Sequence, residues 1–192
     1  MPRPAISSRR SRASGACWPR TLRAVCPRCS TVTPPAPDPA WQLAVPDESA
    51  VARLAAAFAA ELRPPMVVYL VGDLGAGKTT FARAYVHALG FEGYVKSPSY
   101  GLLETYETGG QCVLHLDLYR IEDPEELEFL AIRDLYRGNS VLMVEWPDRG
   151  ANYLPIPDLV LEFGETNESR FIRCTAHSEA GRGLAKAVSD AC

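Results

Sequence analysis

Residues 66–79 read MVVYLVGDLGAGKT, and this stretch decides the fold. Residues 66–71 form a continuous apolar run rich in β-branched side chains, which is typical of a strand buried on both faces. Residues 72–79 match G-x-x-x-x-G-K-[ST], the pattern of a phosphate-binding loop. Helical spacing follows over residues 79–89 and ends at Gly90, so the loop stands between a strand and a helix, as the pattern requires. The sequence therefore predicts a nucleotide-binding protein, and an ATPase is the first interpretation.

Each part of this loop has a chemical reason. Its glycines accept backbone angles that side chains forbid, so that successive N–H groups can surround phosphate oxygens. The helix that follows adds its positive amino-terminal end. Lys78 is expected to reach the β- and γ-phosphates of ATP, and the Thr79 hydroxyl is expected to coordinate Mg²⁺. The loop residues expected to bind the nucleotide are Asp73, Leu74, Gly75, Ala76, Gly77, Lys78, Thr79 and Thr80.

The same chemistry calls for an acid at the end of a second buried strand, where it can hold the metal or polarise water. Glu145 follows the apolar run 140–144, and Asp117 lies near the end of the run 113–118. Either residue could instead be a solvated carboxylate at a strand end. We expect at least one of the two to lie at the metal, and the spacing alone does not choose between them.

Two further features stay open at this stage. His115 alternates with core residues, so a packed strand histidine and a catalytic histidine both fit the pattern. Residues 97–100, SPSY, follow the helix after the loop, where many proteins of this kind carry a nucleotide-responsive switch. An ordinary loop with a proline turn explains the same residues, and spacing alone favours that simpler interpretation.

Periodicity outside the loop predicts an α/β fold. A helix is expected over residues 50–62 with Asp47 or Ser49 as its N-cap, and another from Asp123 to about Leu135 with a capping box. Further strands are expected at 112–118, 140–144, 159–163 and 170–175, with a weak helix at 184–188. This alternation predicts a three-layer sandwich around a mostly parallel central sheet, and the last two strands suggest an antiparallel addition that makes it partly mixed.

Composition divides the 192-residue chain at about residue 40. Residues 1–40 carry seven arginines and one acid, whereas the remainder has 13 basic and 22 acidic residues. We predict a disordered Arg/Ser/Pro-rich extension at 1–40 and one folded domain at 41–192; a targeting segment or a nucleic-acid-binding tail are the alternatives for the extension. The CxxC at Cys26–Cys29 lacks a second ligand pair, so a metal or redox role there is not favoured.

The overall balance is that of a soluble globular protein. No apolar run approaches the ~18 residues that a membrane span needs, so no membrane partner is expected. The cysteines are interpreted as reduced thiols of a cytoplasmic protein. The acidic body argues against a broad surface for direct binding of nucleic acid, because such a surface is basic.

Four linked stretches resemble the TsaE (YjeE) family, the small bacterial ATPase of tRNA threonylcarbamoyladenosine synthesis. They are GDLGAGKTTFAR at 72–83, VKSPSYGLLETY at 95–106, HLDLYRIEDPEELEFLAIRDLY at 115–136 and LMVEWPDRG at 142–150. The resemblance extends from about Trp41 to the end of the chain. It implies a P-loop NTPase-like domain that hydrolyses ATP weakly alone and works with two partner proteins, TsaB and TsaD.

In that family the complex modifies the adenosine beside the anticodon (t6A) of ANN-decoding tRNAs. The resemblance implies that TsaD performs the transfer, and that the ATPase powers or resets the complex for repeated turnover. Contact with tRNA would then be indirect, through the complex, in the cytoplasm.

The resemblance also implies site residues. Lys78 would contact phosphate, Thr79 and Glu145 would lie at the metal, and Asp117 would be a required carboxylate near the γ-phosphate that could act as general base. The expected catalytic residues are thus Lys78, Asp117 and Glu145. Trp146 matches a tryptophan beside the site. Weaker nucleotide-binding assignments fall on Glu48, near the adenine, and on Arg170.

Three departures from the family pattern stand out. Ser99 replaces the usual threonine but keeps the hydroxyl, and Asp148 stands where many members have glutamate, in a role that we cannot assign. The extension at 1–40 has no counterpart in the family, which leaves its function open.

Two other functions compete with the ATPase. A small-molecule P-loop kinase shares the size and fold but needs a lid whose arginines clamp the transferred phosphate. The later arginines 120, 133, 137 and 149 are scattered, with no compact lid. A nucleotide switch without hydrolysis is the other alternative.

Overall fold

The structure, a computed structural model, describes residues 39–99, 101–108, 110–130, 132–167 and 169–192. Its strands are β1 (Pro39–Ala44), β2 (Met66–Gly72), β3 (Leu103–Thr108), β4 (Gln111–Asp117), β5 (Ser140–Glu145), β6 (Leu159–Glu165) and β7 (Arg170–Ala176). Its helices are α1 (Glu48–Glu61), α2 (Lys78–Ala88), α3 (Glu126–Phe129), α4 (Ile132–Leu135) and α5 (Glu179–Ala191), with a 3₁₀ helix at Pro147–Tyr153.

The strands form one seven-stranded sheet in the order β1-β7-β6-β2-β5-β4-β3. In its centre β2 is parallel to both β5 and β6, and β4 is parallel to β5. Each edge is antiparallel, because β3 pairs with β4 on one side while β7 and β1 extend β6 on the other. The predicted α/β sandwich with a mostly parallel, partly mixed sheet is confirmed, as is the antiparallel addition at its end.

Helices and a long connecting segment cover the two faces of the sheet. Alternate residues of β4 and β5 point to opposite faces. On one face they join a core with α1, α2 and α5, in which Phe58, Phe81 and Phe163 pack edge to face. On the other face they pack against residues of the segment 118–154. Fully burying one such side chain contributes about 1.5–3 kcal/mol, so both cores hold the sheet in place.

Local signals explain most of the helix boundaries. Asp47 is the N-cap of α1, as predicted, and its Oδ1 accepts a hydrogen bond of 2.8 Å from the Ala50 N–H. Helix α5 is longer than predicted because Ser178 caps it, accepting from the Gly181 N–H at 2.9 Å.

The single helix predicted from Asp123 to Leu135 is wrong. The chain instead forms α3 and α4, each of four residues. Only half of the predicted capping box forms: the Asp123 N–H donates to Glu126 Oε1 at 3.2 Å, but Asp123 Oδ1 accepts from the Glu125 N–H at 2.9 Å, and Glu125 is the N-cap of α3. However, Leu127 and Ile132 are buried while Leu135 is 40% exposed, so the buried positions do not follow a helical repeat. Ala131, also expected to face inward, lies outside the described residues.

Strand β1 was not predicted, because it begins at Pro39, within the residues 1–40 that composition assigned to the extension. Proline is tolerated in an edge strand, where its missing N–H leaves no partner unsatisfied. β1 is such an edge, paired with β7 alone among the described strands. Residues 1–38 and their CxxC lie outside the described residues, so the predicted extension at 1–40 and domain at 41–192 stay predictions. None of the helices in the described ranges is long and apolar enough to cross a membrane.

Gly72 makes the tightest backbone approach next to the phosphate-binding loop. Its φ is +142°, and a Cβ placed there would lie 2.2 Å from the carbonyl oxygen of Phe163, its neighbour on β6. Gly75 also has a positive φ, of +81°, but a Cβ there would meet open space. Of these two glycines, only Gly72 stands at a position where the packing of β2 against β6 leaves no room for a side chain.

We predict that Gly72→Ala lowers the free energy of unfolding by more than about 3 kcal/mol, because backbone strain and a clash with backbone act together. Gly75→Ala is the matched control and should cost about 1–2 kcal/mol, from strain alone. Denaturant unfolding of both variants measures the difference. Equal losses would contradict a steric role for the contact with β6.

Candidate functional site

The segment between β2 and α2 forms an open loop whose backbone is shaped by glycines. Gly72, Gly75 and Gly77 all have positive φ, of 142°, 81° and 107°. Gly77 is the N-cap of α2 and supplies no side-chain hydrogen bond, so the first amides of the helix are left without a side-chain cap. Such amides and the positive end of the helix attract anions.

A cavity of about 250 Å³ opens beside this loop. Its lining residues come from the loop, the ends of β4 and β5, and the segment before β3: Leu74, Gly75, Gly77, Lys78, Thr79, Thr80, Ser97, Ser99, Asp117, Tyr119, Glu145 and Trp146. The structure thus brings Lys78, Asp117 and Glu145, the three expected catalytic residues, to one cavity.

The two carboxylates meet because their strands are parallel and in register. Asp117 ends β4 and is the direct partner of Glu145, which ends β5. Glu145 is 2% exposed and Asp117 4% exposed. The Thr79 hydroxyl donates to both Glu145 oxygens, at 2.8 Å and 3.0 Å. Both acids are therefore buried and face defined neighbours, so neither is a solvated carboxylate at a strand end.

Asp117 is held by the segment before β3 and by the chain that follows it. The Ser99 hydroxyl donates to Asp117 Oδ2 at 2.6 Å, and the Tyr119 N–H donates to Oδ1 at 3.0 Å. Ser97 in turn contacts the Ser99 hydroxyl at 2.7 Å. This chain of hydroxyls connects the acid to an exposed part of the loop.

Lys78 is only 4% exposed and folds back on its own loop. Its Nζ donates to the carbonyls of Gly72 and Asp73, both at 2.7 Å, and lies 4.1 Å from the centre of the Trp146 ring. Burial lowers the pKa of the Lys78 ammonium, and the negative charges of Glu145 and Asp117 oppose that fall. The lysine is thus a buried ammonium group held by two carbonyls under an aromatic face, with the charges of two acids close enough to affect its pKa.

The oxygens at this cavity fit a magnesium ion. Mg²⁺ prefers oxygen ligands and is usually held by one or two protein groups together with phosphate and water. Thr79, Glu145 and Asp117 supply a hydroxyl and two carboxylates at the mouth of a phosphate-binding loop. Within the described ranges no group of three or more His, Cys, Asp or Glu is placed to hold a metal ion by itself.

The remaining expected residues lie outside this cavity. Arg170 lines a second cavity of about 110 Å³ that also borders the loop, together with Asp73, Ala76 and Phe163. Glu48 is exposed at the start of α1 and is not among the described residues lining either cavity. It lies three residues after Val45, whose N–H donates to the Arg170 carbonyl at 2.8 Å.

Sequence reasoning did not single out three contacts. Tyr119 lines the cavity, and Ser99, noted from the sequence only within the segment 97–100 and as a departure from the family pattern, donates directly to Asp117. His115 is fully buried and its Nε2 lies 2.9 Å from Glu145 Oε1. The strand alternation that places His115 and Asp117 on one face was the available signal for it. Tyr100, from the segment 97–100, lies outside the described residues.

Comparisons with known proteins agree on one family. The family model described as "Threonylcarbamoyl adenosine biosynthesis protein TsaE" matches residues 45–172. A Haemophilus influenzae protein named "tRNA threonylcarbamoyladenosine biosynthesis protein TsaE" is 39% identical over 151 residues, covering 76% of this chain and 96% of that protein. A Bacillus subtilis protein of the same name is 40% identical over 116 residues, covering 60% of this chain and 70% of that protein.

A solved structure is similar as well. The crystal structure of YdiB from Bacillus subtilis superposes with a TM-score of 0.68 at 26% sequence identity. The match covers 81% of this chain and 97% of that one. The likeness therefore extends over most of the chain.

The contact between Lys78 and Trp146 predicts an optical signal. Phosphate oxygens entering the loop would draw the ammonium from the indole face, which removes a cation–π interaction on the order of 1 kcal/mol. We therefore expect tryptophan emission to change on addition of ATP. Trp146→Phe should abolish that change, whereas Trp41→Phe should keep it. A change that survives in Trp146→Phe would contradict this assignment.

Proposed function

The chain belongs to the TsaE family, and from this premise we propose that it is a Mg²⁺-dependent ATPase serving tRNA threonylcarbamoyladenosine modification. In this proposal it acts with TsaB and TsaD and powers or resets their complex, while the transfer to tRNA takes place elsewhere. The proposal of an ATPase rests on one observation: Lys78, Asp117 and Glu145 are buried together around a cavity at a phosphate-binding loop. The names of the relatives support the pathway.

The loop and its lysine would bind the phosphates. Backbone amides of residues 75–79 and the positive end of α2 would face the β- and γ-phosphate oxygens. Lys78 would exchange its two carbonyl partners for phosphate, which is a small movement because its Nζ already lies at the loop. Mg²⁺ bound at Thr79 and Glu145 would neutralise charge on the transferred phosphoryl group.

Asp117 would orient the attacking water. As a carboxylate it can only accept hydrogen bonds, and Ser99 and the Tyr119 amide each occupy one of its oxygens from the side. Remaining lone pairs are free to accept a proton of a water molecule near the γ-phosphate. General-base assistance of this kind is worth about 10²–10⁴ in rate.

Coupling to partners would run through the segment 97–102. Ser99 ties this segment to Asp117, and the Leu102 carbonyl accepts from the Asp117 N–H at 3.1 Å. A change at the γ-phosphate would therefore reach an exposed loop through two direct contacts. Ordering and release of such loops is a common way to transmit nucleotide state.

The cavity favours hydrolysis over transfer to a small acceptor. None of the described residues that line it is an arginine, whereas a kinase uses a lid with arginines on the transferred phosphate. The guanidinium of Arg149 lies 5.4 Å from the ring of Tyr119, a lining residue, but Arg149 does not itself line the cavity. The kinase is thus the weaker alternative.

We predict that Asp117→Asn lowers the rate of ATP hydrolysis by about 10²–10⁴-fold and changes ATP affinity little. The matched control is Asp134→Asn, which removes a carboxylate from an exposed position on α4 that does not line the cavity and should keep hydrolysis within about threefold. Phosphate release and equilibrium nucleotide binding are the measurements. Label appearing on an acceptor in place of free phosphate would indicate a kinase.

The role in the pathway has a separate test. Cells that depend on this chain should lose t6A from ANN-decoding tRNAs when they carry Glu145→Ala or Asp117→Ala, although the variants still bind ATP and the TsaB–TsaD complex. Mass spectrometry of tRNA nucleosides and ATP-dependent co-purification are the readouts. If modification persists unchanged in both variants, hydrolysis is dispensable and the proposed mechanism fails.

A further inference from the structure

His115 is a fully buried polar residue that the proposed mechanism does not use. It lies on β4, two residues before Asp117, and its register partner on β5 is Met143. The next residue of β5 on the same face is Glu145, which places imidazole and carboxylate diagonally across the strand pair. His115 Nε2 lies 2.9 Å from Glu145 Oε1.

The carboxylate partner sets the hydrogen-bonding role of Nε2. An ionised carboxylate only accepts, so Nε2 is the donor. The other ring nitrogen, Nδ1, is buried and has no hydrogen-bond partner among the described residues. The one polar contact that holds this ring is therefore directed at Glu145. A buried polar side chain with a single partner is costly for the fold, so its placement calls for an explanation in terms of that partner.

The orientation of the Glu145 carboxylate in turn determines where the Thr79 hydroxyl points its proton. Both Glu145 oxygens accept from the Thr79 hydroxyl, at 2.8 Å and 3.0 Å. Because the Thr79 proton is directed at the acid, the oxygen lone pairs of Thr79 are left for another partner. Thr79 and Glu145 both line the cavity at the phosphate-binding loop.

We infer that His115 is a positioning residue for the metal side of the site. Its Nε2–H holds the Glu145 carboxylate in the one orientation that takes the Thr79 proton and leaves the Thr79 oxygen available to Mg²⁺. The inference rests on the proposed function, because it assumes that Thr79 and Glu145 face the metal of a bound nucleotide. Outer partners of this kind typically change metal affinity or activity 10–100-fold when they are removed.

Three variants separate positioning from packing. His115→Leu fills a similar volume but cannot donate, whereas His115→Gln can present an amide N–H near the position of Nε2. Val113→Ala is the matched control: it lies on the same strand and in the same core, it is equally buried, and it is one step further from the site. It should destabilise the fold without touching Glu145.

The experiment measures binding rather than turnover. A fluorescent ADP analogue is titrated against the full chain in excess EDTA and then at increasing Mg²⁺, with thermal unfolding recorded for every variant. We expect His115→Leu to raise the Mg²⁺ concentration at half-effect about 10–100-fold, with nucleotide affinity in EDTA within about twofold of the wild type. His115→Gln should recover most of that shift, and Val113→Ala should show none.

Several results would overturn the inference. An unchanged Mg²⁺ half-point in His115→Leu would do so, as would a shift of equal size in Val113→Ala or in His115→Gln, since each indicates packing alone. A wild-type chain whose nucleotide binding ignores Mg²⁺ would instead overturn the proposed function, and the inference would fall with it. The two failures are distinguished by the wild-type titration.

Discussion

The burial of one ammonium and two carboxylates in a single corner constrains the rest of this structure. Lys78, Asp117 and Glu145 are each 4% exposed or less. A lone ion at such depth would cost several kcal/mol, and the opposite charges of the three groups together with their own hydrogen bonds offset that cost. They meet because β2, β5 and β4 are parallel neighbours whose carboxyl ends coincide: Leu70 and Asp117 are both partners of Glu145. A parallel centre of the sheet is therefore a requirement of the site.

Backbone strain is concentrated around the same corner. Trp146 and Leu102 are the described non-glycine residues with positive φ, at 57° and 62°. Such conformations cost on the order of 1–3 kcal/mol each and persist where surrounding contacts determine them. Trp146 directly follows Glu145 and places its ring over Lys78. Leu102 lies in the chain between Ser99 and β3, and its carbonyl accepts a hydrogen bond from the Asp117 N–H. Both strained residues thus hold groups that line or support the cavity.

The sequence predicted the parts of this architecture that depend on short-range patterns. The apolar run 66–71, the loop after it and the Asp47 cap are local, and all three lie where they were expected. Asp117 and Glu145 were predicted to lie at strand ends. That they are direct neighbours depends on how β4 and β5 pair, and sequence spacing does not predict this pairing. The single helix predicted from Asp123 to Leu135 was wrong for the same reason. Burial of Ile132 against the sheet outweighed the helix propensity of this segment. The pattern left His115 open between a packed and a catalytic histidine; it is fully buried, and only the neighbouring strand reveals its partner, Glu145.

The two carboxylates are supported in different ways, and this difference suggests a division of labour. Glu145 is bonded to the side chains of a fully buried histidine and of the second residue of a helix, so both of its side-chain partners belong to regular elements. Asp117 is bonded to a hydroxyl in an irregular segment whose neighbour Ser97 is exposed. In the proposed mechanism the acid on the metal side needs a constant orientation, whereas the acid on the water side must respond to the nucleotide. A rigid partner suits the first requirement and a loop suits the second. Hydrolysis could then change the loop through Asp117 while Thr79 and Glu145 keep their positions, which would allow the same site to be reloaded without rebuilding its metal side.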